Sequence, residues 1–300
     1  MQFAQLKPGP AFSPVHSLLY YSQRLVTARR LRRLVVSALC SSIRMRAGTE
    51  SADSDIPAKT SNYFDALSAS GLTSLGMVFT SDQLADILRY LNGKTLKENG
   101  SGGRSFTLDD VPQGARMGDY ALHDILDCPH IVQLANSPEL LALATKYIGC
   151  KPTLSAIGLR WSFPLEAEGA GLQAFHRDSD DWRFLKVFVY LTDVDEACGP
   201  HVYVKGTHRE RAPLRLRPYG DAEVVEGYGT ERCVAVTGPA GFAFAADTYG
   251  IHKGAVPVKR PRLLLQFQYS ILPVYMYRYR PLAYQEAHRF DGYINRLIFR

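Results

Sequence analysis

The segment RLLLQFQYSIL, residues 262–272, has two faces of different chemistry if it is extended, because successive side chains of a strand point to opposite sides. One face carries Arg262, Leu264, Gln266 and Gln268. The other carries Leu263, Leu265, Phe267 and Tyr269. The pattern predicts a strand that buries its apolar face in a core and turns its more polar face toward a site.

Further short apolar runs precede this strand, and Gly, Pro or Asp-rich turns bound most of them. They are TLSAIGLRWSF, FLKVFVYL, HVYVKG, CVAVTG and GFAFAA, all beyond residue 150. Short strands at this spacing are typical of an antiparallel sandwich or barrel. The predicted fold class is therefore α+β, with a β-rich core.

Helices dominate the chain before residue 150. In TSDQLADILRYL, Thr80 can cap a helix and Gln83 can complete a capping box. A later helix has Ser137 as its N-cap, Pro138 at its first position and Gly149 at its end. We expect these helices to form a layer that supports the β core.

The first 46 residues are basic and contain no Asp or Glu. Between residues 18 and 43 an amphipathic helix is predicted from apolar residues at helical spacing. These are Leu31, Leu34, Val35, Ala38 and Leu39. Such a segment can be an organelle-targeting peptide, a helix that lies on the main domain, or an upstream extension with the functional chain starting near Met45. Residues 47–61 are small and polar, which predicts a linker.

Composition excludes several classes of protein. The net charge of +6 comes from the basic N-terminal segment, and no nucleic-acid-binding motif accompanies it, so no nucleic-acid partner is expected. Arginines interrupt the only region that could approach the roughly 20 apolar residues of a transmembrane helix. The five cysteines are scattered and form no CxxC motif, which favours a reducing compartment such as the cytoplasm. Organelle import through the basic segment is the alternative location.

The segment FHRDSDDW, residues 175–182, suggests a metal site. In an extended segment His176 and Asp178 point to the same side. Fe(II) in an oxygenase takes two imidazoles and one carboxylate on one face, leaving positions for a cosubstrate and O2. His252, just after the strand GFAFAA, is the candidate third ligand, and His208 is a weaker one.

Arg262 adds an anion anchor to this set. A dicarboxylate that chelates iron through its keto-acid end needs its far carboxylate held, and a guanidinium can do so with two parallel hydrogen bonds. Lys259 and Arg260 are rivals, but they precede Pro261 in a predicted loop.

Other polar residues nearby are expected to have structural roles. Asp180 and Asp181 are predicted to form a solvated acidic turn, and His201, after Gly199-Pro200, to lie in a surface turn. Trp182 fits either a core position or the wall of a pocket.

Residues 175–270 resemble the double-stranded β-helix core of the phytanoyl-CoA dioxygenase family of Fe(II)/2-oxoglutarate oxygenases. The matching features are HRD, YLTDVDEACGPHVYVKGTHR, GFAFAADTYGIHKG and Arg262. The resemblance implies that His176, Asp178 and His252 bind iron and that Arg262 binds 2-oxoglutarate. It also offers Gln173, Trp182 and Tyr190 as residues that line the cosubstrate pocket. Family members often have Ser shortly after the distal histidine, whereas Lys253 and Gly254 stand here.

The resemblance also implies a domain plan and a reaction. Residues 1–46 precede the linker 47–61, and an oxygenase domain follows over 62–300. Within it, 62–150 are helical support, 151–275 the jelly-roll core and 276–300 a tail packed on that core. Fe(II), 2-oxoglutarate and O2 would hydroxylate an unactivated C–H bond of a small molecule, with release of succinate and CO2. A cupin-like metal enzyme without 2-oxoglutarate and a non-catalytic carbohydrate-binding β-sandwich are the alternatives.

Overall fold

The computed structural model describes residues 2–10, 12–26, 28–48, 58–99, 103–166, 169–210 and 217–300. The helices are α1 (Pro14–Leu25), α2 (Arg29–Ala47), α3 (Ala58–Ser70), α4 (Ser81–Leu91), α5 (Leu122–Asp127), α6 (Ile131–Ala135), α7 (Pro138–Ile148), α8 (Asp221–Tyr228) and α9 (Gly292–Asn295). The strands are β1 (Gln2–Phe3), β2 (Leu72–Met77), β3 (Leu96–Glu98), β4 (Ser105–Phe106), β5 (Met117–Tyr120), β6 (Thr153–Ser162), β7 (Phe184–Tyr190), β8 (His201–Val204), β9 (Cys233–Val236), β10 (Phe242–Ala246), β11 (His252–Gly254), β12 (Arg262–Ser270) and β13 (Tyr277–Arg278).

Two antiparallel sheets form the β core. The larger has the order β2-β10-β7-β12-β6-β5-β3-β4, and the smaller has the order β11-β8-β9. Aromatic side chains from both sheets pack together between them, among them Phe188, Phe244 and Tyr203. This arrangement is a jelly roll, or double-stranded β-helix, and it confirms the predicted α+β fold class.

The two faces of β12 differ in burial as the alternation in residues 262–272 predicts. Leu263, Leu265 and Phe267 are fully buried in the main core on the helical side of the large sheet. The opposite face, which begins with Arg262, looks into the space between the sheets. Strand β12 is central in the sheet, since it pairs with both β6 and β7.

The predicted helix ends are confirmed where caps define them. Thr80 and Gln83 form the expected capping box at the start of α4. At α7, the Ser137 side chain accepts from the backbone N–H of Leu140, and Gly149 ends the helix in the left-handed conformation, with φ of 95°.

The region before residue 150 is less helical than predicted. Strand β2 pairs with β10 at one edge of the large sheet, and β5, β3 and β4 extend the other edge beyond β6. These strands are two to six residues long, too short for the alternation that reveals a strand in a sequence. These segments are strands because they form hydrogen bonds with neighbouring strands of the sheet.

The predicted N-terminal helix is two helices, α1 and α2, separated near Val26. The buried face of α2 is also rotated from the predicted one. It consists of Val36, Cys40 and Ile43, whereas Leu31 and Leu34 are 48% and 68% exposed. Because arginines flank the apolar residues on several sides, the sequence did not show which stripe would meet the domain.

The N-terminal helices pack against the domain through polar contacts as well. Arg32 of α2 donates to the Trp182 carbonyl at 2.9 Å, and the Cys40 thiol donates to the Ile148 carbonyl at 3.5 Å. Most of the predicted linker, residues 49–57, lies outside the described residues, and α3 begins inside its predicted range. At the other end of the chain, Ile294, Ile298 and Phe299 are buried in the main core.

Asp181 is fully buried, so the prediction of a solvated acidic turn is wrong at this position. Its carboxylate accepts from the backbone N–H groups of Ile271 and Leu272, at 2.7 and 2.9 Å, and from the Gln23 side chain of α1 at 3.1 Å. Burial raises the pKa of Asp181 to about 7. The N-terminal helices cover what the local sequence presents as a polar turn.

None of the helices in the described ranges has both the length and the apolar character needed to cross a membrane.

We predict that Asp181→Ala lowers the free energy of unfolding by about 2–4 kcal/mol, because two buried backbone N–H groups lose their acceptor. Urea denaturation followed by circular dichroism measures this change. Asp65→Ala, at an exposed position of α3, should leave the unfolding free energy nearly unchanged. Equal stability of the two variants would contradict a bonding role for Asp181.

Candidate metal centre

A pair of backbone hydrogen bonds joins the segment that carries His176 to the start of β11. The N–H of His176 donates to the carbonyl of His252 at 2.9 Å, and the N–H of His252 donates back at 3.0 Å. A third bond runs from the Asp178 N–H to the Thr248 carbonyl at 2.8 Å. These bonds hold the HxD segment against the strand that carries the distal histidine.

The side chains of His176, Asp178 and His252 converge as a result. The Nε2 atoms of His176 and His252 lie 3.6 and 3.5 Å from the two carboxylate oxygens of Asp178. One ligand atom from each residue can be chosen so that all three lie within 4.8 Å of one another. Donor atoms bound at about 2.1 Å to one ion are separated by roughly 3–4 Å, so the spacing suits a single metal ion.

Both imidazoles are held in the tautomer that metal binding requires. The Nδ1 of His176 lies 2.8 Å from the Ala174 carbonyl oxygen, and the Nδ1 of His252 lies 2.9 Å from that of Gly250. Because a carbonyl oxygen only accepts, each Nδ1 must carry the proton. Each Nε2 then has a free lone pair that faces Asp178.

Burial and neighbouring charges shift the pKa values of His252 and Asp178. Burial, with a contribution from His176, lowers the pKa of His252 to about 3, so its ring is neutral at physiological pH. Burial disfavours the Asp178 carboxylate, but Lys186 and the two histidines outweigh this effect and hold the pKa of Asp178 below its ordinary value.

Lys186 is a residue that the sequence analysis missed. Its ammonium lies 2.7 Å from the Asp178 carboxylate and 3.1 Å from that of Asp180, and its side chain is 10% exposed. Burial disfavours the charged amine, yet the two carboxylates prevail and raise the pKa of Lys186. The available signal was a single lysine inside the apolar run FLKVFVYL. Asp180, at 13% exposure, is thus part of a buried ion pair and not of a solvated turn.

Arg262 lies in the same space between the sheets and is 4% exposed. One of its Nη atoms donates to the Ser162 hydroxyl at 3.3 Å, while Nε and Nη1 have no hydrogen-bond partner within the described residues. Gly254, two residues beyond His252 on β11, adjoins it: a Cβ at position 254 would lie 3.0 Å from the Arg262 Nη2. A buried guanidinium without a carboxylate partner is costly unless a ligand supplies the counter-charge.

His201 is the second residue that the sequence analysis missed, and its predicted surface position is wrong. It is 4% exposed, and its ring stacks on that of His252 at a centroid distance of 5.4 Å. Its Nε2 has no partner among the described residues. Burial, with smaller effects of His252 and Arg262, holds the pKa of His201 well below its ordinary value. His201 lies inside because β8 begins there and turns its first side chain between the sheets.

The remaining cosubstrate-pocket candidates have different surroundings. Gln173 is buried in a short turn near Gly254, where its Oε1 accepts from Arg116 at 3.3 Å and its Nε2 has no described partner. The Tyr190 hydroxyl donates to the Val236 carbonyl at 2.7 Å, and burial raises the pKa of Tyr190 to about 12 against the opposing effect of Arg262.

Trp182 and His208 lie apart from the three converging side chains. The Trp182 ring stacks with Arg32, whose guanidinium carbon is 5.2 Å from the ring centroid, and lines a different cavity under α2. The assignment of Trp182 to the cosubstrate pocket stays a prediction. His208 lines that second cavity too, and it is absent from the metal-binding group found in the described residues.

No protein-family model and no curated protein matches the chain. Solved structures do match. The chain is similar to the non-heme alpha ketoglutarate dependent epimerase SnoN from nogalamycin biosynthesis, with a TM-score of 0.52 and 22% identity over 72% of this chain and 84% of that one. It is also similar to EctD from S. alaskensis, with a TM-score of 0.50 and 19% identity over 73% and 78%. The carbocyclase SnoK, also from nogalamycin biosynthesis, gives a TM-score of 0.50 and 18% identity over 72% and 87%. At these identities the similarity establishes the fold.

We predict that Lys186→Met lowers the free energy of unfolding of the metal-free protein by about 3–5 kcal/mol near pH 7, because it leaves two buried carboxylates without a counter-charge. The native stabilisation comes from a depressed Asp178 pKa, so it is present above the ordinary carboxyl pKa and lost as pH falls below it. The penalty should therefore shrink near pH 4. Urea titrations at both pH values test this, with exposed Lys97→Met as the control. A penalty independent of pH would argue against the ion pair.

Proposed function

We propose that this chain is an Fe(II)- and 2-oxoglutarate-dependent oxygenase, similar to the phytanoyl-CoA dioxygenase family, that hydroxylates an unactivated C–H bond of a small molecule. The observation that carries the proposal is that two groups of side chains lie next to one another, because Arg262 adjoins Gly254 on the strand that begins with His252. A two-histidine, one-carboxylate cluster and an unneutralised, buried Arg262 face the same space between the sheets.

In this proposal His176, Asp178 and His252 are the iron ligands. Two neutral imidazoles and one carboxylate are the donor set of Fe(II) oxygenases, in which one face of the ion stays open for other ligands. Both histidines present Nε2, and the adjacent carbonyls fix their orientation. Lys186 keeps Asp178 ionised and oriented before iron arrives, so it acts as a positioning residue.

Arg262 is the anchor for the distal carboxylate of 2-oxoglutarate. Residues i and i+2 of a strand are roughly 6–7 Å apart, so Gly254 and His252 are separated by about the length of a five-carbon dicarboxylate. A 2-oxoglutarate molecule could therefore reach from the metal beside His252 to Arg262 beside Gly254. The absence of a side chain at Gly254 leaves Arg262 accessible. Ser162, His201 and Gln173 supply further polar groups along this path, and the Nε2 atoms of His201 and Gln173, which have no partner among the described residues, suit a polar ligand.

When bound, iron and 2-oxoglutarate activate O2 for hydrogen abstraction and hydroxyl transfer, with succinate and CO2 as coproducts. The protein residues hold the ligand geometry, neutralise the cosubstrate and exclude water. Asp178 favours oxygen insertion over halogenation, since a carboxylate fills the position that a halide would need.

The similar structures include an epimerase and a carbocyclase, so the fold accommodates more than one oxidative outcome. Product mass separates these outcomes for this chain. Hydroxylation adds one oxygen, desaturation removes two hydrogens and epimerisation leaves the mass unchanged. We propose hydroxylation as the reaction, within an oxygenase domain over residues 62–300. A screen of metabolite pools that depends on both iron and 2-oxoglutarate tests it.

We predict that the protein binds Fe(II) and, with 2-oxoglutarate under anaerobic conditions, develops a visible absorption band. His252→Ala should weaken Fe(II) binding at least 100-fold, because it removes one of three ligands. His208→Ala is the matched control and should bind as the native protein does. Absence of the band in the native protein would favour the carbohydrate-binding alternative, and loss of iron in His208→Ala would overturn the ligand set.

We further predict that Arg262→Gln raises the Kd for 2-oxoglutarate about 10- to 100-fold while Fe(II) affinity stays unchanged, because charge-assisted hydrogen bonds are lost. Gly254→Val should have a similar selective effect, since its side chain would fill the space beside Arg262. Gly227→Val, at a position where an added Cβ meets nothing within 4 Å, is the control. Unchanged 2-oxoglutarate affinity in both test variants would favour the cupin-like enzyme.

A further inference from the structure

A second cavity of about 420 Å³ lies under α2. Its walls come from α2, α3, α7 and the loops that follow Asp181, Thr207 and Ala246. None of the proposed iron or 2-oxoglutarate ligands lines it. Pockets of this volume commonly hold small organic ligands.

Five cationic side chains line this cavity. They are Arg32, Arg33, Lys146, Arg183 and Arg209. No ion pair joins any of them to a carboxylate in the part of the chain that the structure describes. Their hydrogen bonds go to neutral acceptors: Arg183 donates to the Tyr147 carbonyl at 3.3 Å, and Lys146 to the Ser61 hydroxyl at 3.1 Å. Neutral acceptors do not cancel the charge, so the cavity is positive.

The two acids of the cavity form hydrogen bonds with groups other than the five cations. Glu210 accepts from Arg177 and from the Tyr228 hydroxyl, both at 2.9 Å. Asp247 accepts from the Tyr147 hydroxyl and, at 3.0 Å, from the backbone N–H of Tyr249. Neither acid forms a described ion pair with the five cations. The five positive charges, which come from four parts of the chain, thus outnumber the two acids, although Asp247 offsets part of the charge of Arg32 and Arg183.

Aromatic rings complete the walls. Trp182 and Tyr249 flank Arg32, whose guanidinium carbon lies 5.2 and 5.5 Å from their ring centroids. Phe64 lies 5.1 Å from the Lys146 ammonium. Arginine and lysine bind phosphate oxygens, and an aromatic wall suits an attached ring or acyl group. Arg32 itself donates to four backbone carbonyls, so the helix that supplies Arg33 is held in place.

We propose that this cavity binds a small molecule that carries two or more phosphate charges, at a site separate from the metal centre. The ligand neutralises the positive charge that the two acids leave in excess and rests against the Trp182 and Tyr249 rings. Because α2 forms one wall, the N-terminal segment is part of a binding site. This site goes beyond the proposed oxygenase function and does not depend on it.

Calorimetric titration of the full-length, metal-free protein with inorganic pyrophosphate at low salt tests the proposal. We expect one saturable site whose affinity falls as salt is raised. Arg33→Gln and Lys146→Gln should each raise the Kd about tenfold. Arg30→Gln, on the same helix but outside the cavity, removes the same charge and should change the Kd less than about twofold.

Two further arms separate the alternatives. Arg262→Gln should leave pyrophosphate binding unchanged. If this variant no longer bound pyrophosphate, the anion would lie in the proposed 2-oxoglutarate site, and the inference would be overturned. If ADP binds more tightly than pyrophosphate, the ligand of this cavity is a nucleoside phosphate. If the two affinities are equal, the ligand is an inorganic anion or a simple phosphate ester. Absence of saturable binding, equal effects of Arg30→Gln and Arg33→Gln, or citrate that binds as tightly as pyrophosphate would each overturn the proposal.

Discussion

The reciprocal hydrogen bonds between the backbones of His176 and His252 are the constraint on which the candidate metal centre depends. They join two segments that are far apart in the chain and fix their register. Because side chains alternate along extended backbone, this register turns both imidazoles to the same side. Asp178, two residues beyond His176, follows onto that side. A slip by one residue would turn the distal ring away from the carboxylate.

The two buried charges of this site, on Asp178 and Arg262, are balanced in different ways. Asp178 carries a permanent internal counter-charge in Lys186, so the pair is ready before any ligand binds. Arg262 has only the neutral Ser162 hydroxyl and retains an unneutralised positive charge. A structure in which one buried charge is compensated and the other is left open has a place for an anion. Asp178 and Arg262 therefore differ in whether the protein itself supplies the balancing charge.

The N-terminal helices also affect the buried charges of the domain. They bury Asp181 and also bring Arg32 and Arg33 to a cavity that already holds lysine and arginine side chains from the domain. A basic, acid-free segment therefore has a structural use in this protein, whatever else it does in the cell.

The sequence by itself determined the features whose causes are local. Alternation predicted β12 and its two faces, caps predicted α4 and α7, and spacing drew attention to His176, Asp178 and Arg262, because side-chain direction and cap chemistry act over a few residues. Only the tertiary structure decided that Lys186 neutralises Asp178, and that His201 is inside. It alone also created the short strands β2 to β5 and selected the buried face of α2. Each of these depends on a partner from a remote part of the chain, and burial and charge compensation exist only once that partner is in contact.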